Sequence, residues 1–244
     1  MKKRGQASIL LILAIIILIT LSLAYFFKAS LPKTIKLEPI KSSISETLKL
    51  DIQSCLTNTA ELALFNLGLK GGYIETPNKF ITINDSIISF GYYKNSVILN
   101  SLEGLKTEIN NYIENNLPEC IKNKNLIFEE GKVISKTIIN KDNVKIEINY
   151  PITIKQGDRV DSLNPEYKTE LKIRLGYIYD FVLSILSKNL KDPRNIDIAN
   201  LLKSDLTIDI VGYKNNILIY VITDKKSKLN NKPFNFIFAN YFGT

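Results

Sequence analysis

Residues 144–154 read VKIEINYPITI, and Val144, Ile146, Ile148, Tyr150, Ile152 and Ile154 fall on one side of a period of two. Strict alternation over so long a run marks a half-buried strand, because successive side chains of an extended chain point to opposite faces. Lys141-Asp142-Asn143 ahead of it reads as a turn, and a strand over about 132–139 precedes that turn, so the pair makes a hairpin. Two further hairpins are predicted. One joins 80–83 to 86–90 through Asn84-Asp85, and the other joins 205–212 to 217–223 through Asn215-Asn216. A short strand at 96–99 and a last strand, FNFIF at 234–238, complete the extended segments.

Between these strands the apolar period lengthens to three and four. Leu48, Ile52, Leu56, Ala60, Ala63 and Leu67 form one stripe of a helix over 42–69. Ser43 with Glu46 offers a capping box at its start, and the glycine pair of LGLKGG (67–72) closes its end. A second helix is expected over 101–116, with Asn100 as N-cap and Pro118 ending it. A third is expected over 169–190, with Leu171, Leu175, Ile178, Val182 and Ile185 as its buried stripe, followed by a short helical piece at 196–202. Helices interleaved with antiparallel hairpins predict an α+β fold: three helices packed with the hairpins in one compact domain over 42–244. Division into subdomains at 42–160 and 161–244 is the alternative.

The N-terminus has a different character. Residues 7–27, ASILLILAIIILITLSLAYFF, carry no charge. As a helix the segment is about 31 Å long, matching a hydrocarbon core of about 30 Å. Lys2, Lys3 and Arg4 precede it, and Tyr25, Phe26, Phe27 and Lys28 end it. The positive-inside tendency keeps residues 1–6 in the cytoplasm and sends the remainder outside the cell. Pro32 and Pro39 then interrupt any helix, so 28–41 reads as a juxtamembrane linker. The expected topology is a single-pass protein of the cell membrane with an extracellular C-terminal domain. The lipid bilayer is its partner through residues 7–27, and other envelope or surface proteins, or further copies of the chain, are partners through the domain.

Composition removes several function classes. The 244 residues include no histidine and no tryptophan, which excludes imidazole-based catalysis and histidine-ligated metals. Half of the +8 net charge sits in the first thirty residues, and the remaining excess is too diluted for a phosphate-binding face, so nucleic acid is not an expected partner. No cofactor is expected. Two cysteines on the exterior side, Cys55 and Cys120, most simply form one bridge. Asn84-Asp85-Ser86 is an N-glycosylation sequon in an exposed turn.

Groups that could carry chemistry are few. Glu129-Glu130, Asp158 with Asp161, and Asp205 with Asp209 are the nearest carboxylate pairs for general acid and base work, and solvated surface accounts for each. Ser30 and Lys33 have the spacing of a Ser-Lys dyad but sit beside a proline in the linker. Gly71-Gly72 has neither the preceding strand nor the following helix of a phosphate loop. Aromatic pairs and triplets at Tyr92-Tyr93, at Phe234, Phe236 and Phe238, and at Tyr241-Phe242 read as core or as contact surface.

The junction Lys3-Arg4-Gly5-Gln6-Ala7-Ser8 resembles the class III, prepilin-type signal of archaea, in which a short basic stretch ends in glycine and cleavage precedes a Gln-x-Ser start. The resemblance implies processing between Gly5 and Gln6. The family's glutamate five residues into the mature chain is replaced here by Leu10. Cys55-Leu56, Gly71-Gly72-Tyr73-Ile74, Leu117-Pro118 with Cys120, and Tyr150-Pro151 with Gly157-Asp158 resemble membrane-anchored surface proteins of small-genome archaea, a group that carries no assigned activity. The expected function is therefore a non-enzymatic surface protein for structure, attachment or partner docking. The alternatives are a pilin-like filament subunit and a surface hydrolase using carboxylates or the Ser-Lys pair.

Overall fold

Helix α1 (Ile44–Leu69) forms where the three- and four-residue apolar steps predict it, and Leu48, Ile52, Leu56, Ala60 and Leu64 along it are wholly buried. Its end is a Schellman motif: the Gly72 amide donates to the Leu67 carbonyl at 2.8 Å, and the Gly71 amide to that of Gly68 at 3.3 Å. Gly71 holds φ at +67°, and a Cβ there would stand 2.5 Å from the Ser89 hydroxyl, so only glycine serves. The computed structural model describes residues 44–122, 128–156, 159–163, 166–193 and 196–243. The tail at 1–6, the apolar segment 7–27 and the linker 28–41, with Gly5, Gln6, Ser30 and Lys33, lie outside the described residues, as do Ser43 and Asp158. Among the described residues no helix is long and apolar enough to cross a membrane.

After α1 come β1 (Phe80–Ile83), β2 (Ser86–Tyr93) and β3 (Ser96–Val97). Asn84 and Asp85 turn β1 into β2 with φ of 45° and 63°, and Lys94-Asn95 repeats the device between β2 and β3. Helix α2 (Leu102–Lys122) differs from expectation at both ends. Ser101, not Asn100, caps it: the Ser101 hydroxyl accepts the Gly104 amide at 3.0 Å, while the Asn100 side chain donates to the Gly72 carbonyl. Pro118 sits inside the helix instead of ending it. Leu117 and Ile121 continue the buried stripe across the proline, and packing on both sides outweighs the one backbone bond it removes.

The chain then builds a three-stranded antiparallel meander bent across its middle. β4 (Phe128–Glu130), β7 (Ile152–Gln156) and β8 (Arg159–Leu163) form one half. β5 (Ile134–Ile139), β6 (Val144–Asn149) and β9 (Glu166–Leu171) form the other. The expected unbroken strand over 144–154 is therefore two strands in two sheets. Pro151 cannot donate to a ladder, its carbonyl accepts the Gly131 amide at 2.8 Å, and the chain bends there. The expected helix over 169–190 is likewise corrected at its start. Residues 166–171 alternate out and in with Tyr167, Thr169 and Leu171 buried, and helix α3 (Leu175–Lys191) begins only after Ile173 and Arg174.

Helix α4 (Ile198–Leu202) is short, and β10 (Thr207–Tyr213), β11 (Ile217–Leu229) and β12 (Lys232–Tyr241) follow it. The last two strands run well beyond the segments expected at 217–223 and 234–238. The main sheet has the order β1-β2-β12-β11-β10, with β3 added on β2. Its neighbours are antiparallel except β12 and β2, which are parallel, with Ala239 opposite Phe90. Residues 43–244 form one compact unit, a mixed α+β domain. Its core gathers the stripes of α1, α2 and α3 with Tyr220, Ile222, Phe234, Phe236 and Phe238 from the inner face of the main sheet. Cys55 and Cys120 are joined by a disulfide, with Cα atoms 5.9 Å apart, tying α1 to α2.

Candidate functional site

Two features of the domain exceed what a core requires, one charged and one apolar. The charged one is built by a bulge. Asp224 faces inward in phase with Tyr220 and Ile222, and the register of β11 with β12 then slips between Asp224 and Lys228, which turns Ser227 inward as well. Arg174, just ahead of α3, meets them: its Nε and Nη2 donate to the two Asp224 carboxylate oxygens at 2.9 and 2.6 Å. The Arg174 Nη1 and Nη2 also donate to Asp205, at 3.0 and 3.2 Å, and Lys226 lies 2.6 Å from the same carboxylate. The Ser227 hydroxyl accepts the Arg174 amide and bonds to Asp224. The guanidinium lies over the Tyr177 ring, 4.7 Å from its centroid.

Burial works to raise the pKa of Asp224, which is fully buried, but Arg174, Ser227 and the Lys226 amide outweigh it and hold the group below the usual carboxylate range. Hydrogen bonds from Arg174 and then Lys226 hold Asp205 well below that range too, and the bond to Asp224 raises Arg174. Two cations face two anions and each is engaged, so the cluster fastens β9, α3, the α4–β10 connection and β11 together.

The other sequence candidates are dispersed. Glu130 accepts the Tyr150 hydroxyl and pairs with Lys122 at 3.1 Å. Burial, reinforced by Glu130, pushes the Tyr150 phenol above its ordinary range. Asp161 lies on β8, away from Glu130 on β4, and Asp209 stands exposed on β10, on the outer face, while its expected companion Asp205 turns to Arg174. Asp205 and Asp209 therefore do not act as a pair, Glu129 and Glu130 are neighbours on β4, and Asp158, the expected companion of Asp161, lies outside the described residues. Asn84 is exposed at the β1–β2 turn. The described residues contain no group of His, Cys, Asp or Glu that could hold a metal ion.

The apolar feature is the outer face of the main sheet. Its rows follow from the strand registers. Val211, Ile219, Ala239 and Phe90 make one row, and Tyr213, Ile217, Tyr241 and Tyr93 make the next. Val221 and Ile237 lie across from Asp209 in the row before them, with Ile88 and Ile81 on the far strands. These side chains form a second apolar cluster, separate from the core, in which no residue of a described helix takes part. The aromatic row is tight, with Tyr93 centred 5.2 Å from both Phe90 and Tyr241. Lys79 lies over the Tyr93 ring and Lys214 over that of Tyr213, at 5.4 and 5.2 Å, so one end of the face is rimmed by cations. At the other end stand Thr207, Thr223 and Asn235, with the exposed Lys225 and Lys228 of β11 and Lys232 of β12 beyond them, so cations stand at that end too. No family model, curated protein or solved structure matches the chain. The geometry of this face therefore carries the functional reading.

A smaller apolar groove of about 250 Å³ lies between α1 and the β11–β12 hairpin, lined by Leu62, Phe65, Leu229 and Pro233 among others. The sequence did hold a signal for the outer face. The run ILIYVI (217–222) is apolar at every position, which marks a strand with two apolar faces. For the Arg174 cluster there is no local signal, since its members lie 31 and 50 residues apart along the chain.

Proposed function

We propose that this protein is a membrane-anchored, extracellular interaction module without catalytic activity, serving attachment, envelope structure or partner docking. The observation that carries the reading is the outer face of the main sheet, a second apolar cluster apart from the core that no described helix joins, buried at Ile219 and Ala239 and open at Val211 on the edge strand β10. The Cys55–Cys120 disulfide favours an oxidising compartment, in keeping with an exterior domain held by residues 7–27. Glu130 and Asp205, the best placed of the expected catalytic carboxylates, are engaged by Tyr150, Lys122, Arg174 and Lys226, which favours the non-catalytic reading over a hydrolase.

Protease added to intact cells tests the proposal. Digestion should remove the domain and leave a membrane-retained stub. Full protection of the domain, or recovery of the chain in a detergent-free soluble fraction, refutes it. A second reading, a pilin-like subunit, is favoured by one feature, the Gly5-Gln6-Ala7-Ser8 junction. Mass spectrometry of the native N-terminus decides there: a chain starting at Gln6 supports prepilin-type processing, and an intact Met1 removes it.

A further inference from the structure

We infer that the pocket between the 73–79 loop, α2 and β2 is a binding site for a neutral sugar ring. The inference names a ligand for the interaction module, and it rests on that reading for the non-catalytic role. Three observations carry it.

The first is that the pocket is preformed. The loop that carries the chain from α1 to β1 is tied at both ends. The amides of Ile74 and Glu75 donate to Oε2 of Glu108 on α2, at 2.8 and 2.9 Å. The Lys79 carbonyl accepts the Phe90 amide of β2 at 3.3 Å. Pro77 between these ties is buried, and its ring fixes φ there. The cavity so enclosed measures about 400 Å³. Small-ligand sites span roughly 300 to 1,000 Å³, and a site held open in advance loses little freedom on binding.

The second is the density of hydrogen-bonding groups. The loop takes one oxygen of Glu108, which leaves Oε1 to accept from a ligand. Lys79 adds a cationic donor, placed 5.4 Å from the centre of the Tyr93 ring. The Tyr73 hydroxyl, the Thr76 hydroxyl and the Asn78 amide also line the cavity, and each can both donate and accept. No hydrogen bond among the described residues occupies these three groups. Burial, and after it the Glu108 carboxylate, hold the Tyr73 phenol above its ordinary range, so it meets a ligand as an un-ionised hydroxyl. Phe90 and Ile98 supply apolar surface to the same cavity.

The third is charge balance, which selects the ligand class. One carboxylate and one ammonium cancel, so a cation is opposed by Lys79 and an anion by Glu108. A small zwitterion would engage those two and leave Tyr73, Thr76 and Asn78 unanswered. A sugar ring answers all five. Neighbouring hydroxyls donate to the carboxylate and accept from the ammonium, the others reach the neutral groups, and the C–H face of the ring packs on Phe90 and Ile98.

Saturation-transfer NMR of the full-length chain in a detergent without sugar headgroups tests the inference. The probes are glucose, galactose, mannose and N-acetylglucosamine with their methyl glycosides, against acetate, butylamine and alanine. At least one sugar should saturate the site at about 1 mM, the affinity that ligands of this size reach. Glu108→Gln keeps an acceptor for the two loop amides but turns the free oxygen into a donor, and should weaken binding by about tenfold. Tyr73→Phe and Lys79→Met should each weaken it by about threefold, with unchanged thermal melts. If Glu108→Gln lowers the melting temperature, the other two variants decide. A sugar that binds as its methyl glycoside is the end of a glycan, and one that needs its free anomeric hydroxyl is a free saccharide; either result upholds the site. No saturation by any sugar up to ~20 mM overturns the inference. So does binding indifferent to all three substitutions, and so does acetate, butylamine or alanine binding as tightly as the best sugar. The two readings fail separately. A chain that binds sugar but resists protease on intact cells keeps the pocket and loses the surface location, while a shaved chain that binds none does the reverse.

Discussion

Opening the Cys55–Cys120 bridge removes the one covalent tie between α1 and α2, and the loss can be sized from the chain it encloses. The two cysteines are 65 residues apart, and the loop between them holds the end of α1, β1, β2, β3 and most of α2. In the chain-entropy treatment a loop of that length restricts the unfolded ensemble by about 4 kcal/mol. For a domain of this size each kilocalorie moves Tm by about 2 to 4 °C, so reduction should lower Tm by roughly 8 to 16 °C. Cys55 is buried in the core and Cys120 packs partly buried against it, so reduction to thiols opens little space and the entropic contribution dominates. The assay is a far-ultraviolet circular dichroism melt of the full-length protein in detergent, with and without a phosphine reductant at fixed pH. The variant C55A/C120A provides a second measurement free of reductant. A drop smaller than ~3 °C in both would mean that packing between the helices already confines the unfolded chain, and would refute the loop-entropy argument.

Arg174→Met should destabilise the domain by about 3 kcal/mol or more in urea at pH 7, because it leaves the buried Asp224 carboxylate without its cation. Its pH dependence should also change sign. In the native protein Asp205 and Asp224 are held low, so their contribution is complete above about pH 4 and lost as pH falls below it. With Asp224 unpaired its pKa rises instead, and the variant should recover stability between pH 7 and pH 5, where the native protein is flat. Gly68→Ala should destabilise by about 1 to 3 kcal/mol although alanine is the better helix former, since its Cβ would meet the Asn235 carbonyl at 2.2 Å. A stabilised variant in denaturant titration would refute that close approach. Tyr150→Phe should cost about 1 to 2 kcal/mol in the same titration, by removing the hydroxyl that Glu130 accepts within the bend of the meander.

What was legible in the sequence is what is local. The α1 stripe is long and closed by a glycine pair, so its helix could be read almost to the residue. Asn84-Asp85 carries its turn in its own chemistry, and the two cysteines carry their bridge. Short segments defeated the reading because two periods fit them. Thr169, Leu171 and Ile173 alternate as a strand, yet Leu171, Leu175 and Ile178 also step as a helix, and only pairing with β6 decides between them. Pro118 and Pro151 exchanged their expected effects. The helix passes through the first because Leu117 and Ile121 are buried on either side, and the strand breaks at the second because a ladder needs the donor that proline lacks. The lysines of KKSKL (225–229) hid the far half of β11 beyond its bulge, and with it the turn at Asn230-Asn231. The parallel pairing of β12 with β2 and the Arg174 cluster join segments remote in sequence, so no window of residues contains them.

The outer face raises a question that folding alone does not answer. Inner-face residues such as Tyr220, Ile222 and Phe236 earn their apolar character by packing on the helices. Ile217, Ile219 and Val221 alternate with them on the same strand and meet no described helix, so polar residues there would leave the core untouched. An apolar face beyond core needs weakens solubility and exposes strands to unwanted association. The chain nonetheless keeps β11 apolar on both sides and sets lysines at both ends of the rows, Lys214 at one and Lys225 and Lys228 at the other, while Ile219 and Ala239 at the centre are buried. Charged margins around a buried apolar centre are a means by which a sheet limits unwanted pairing.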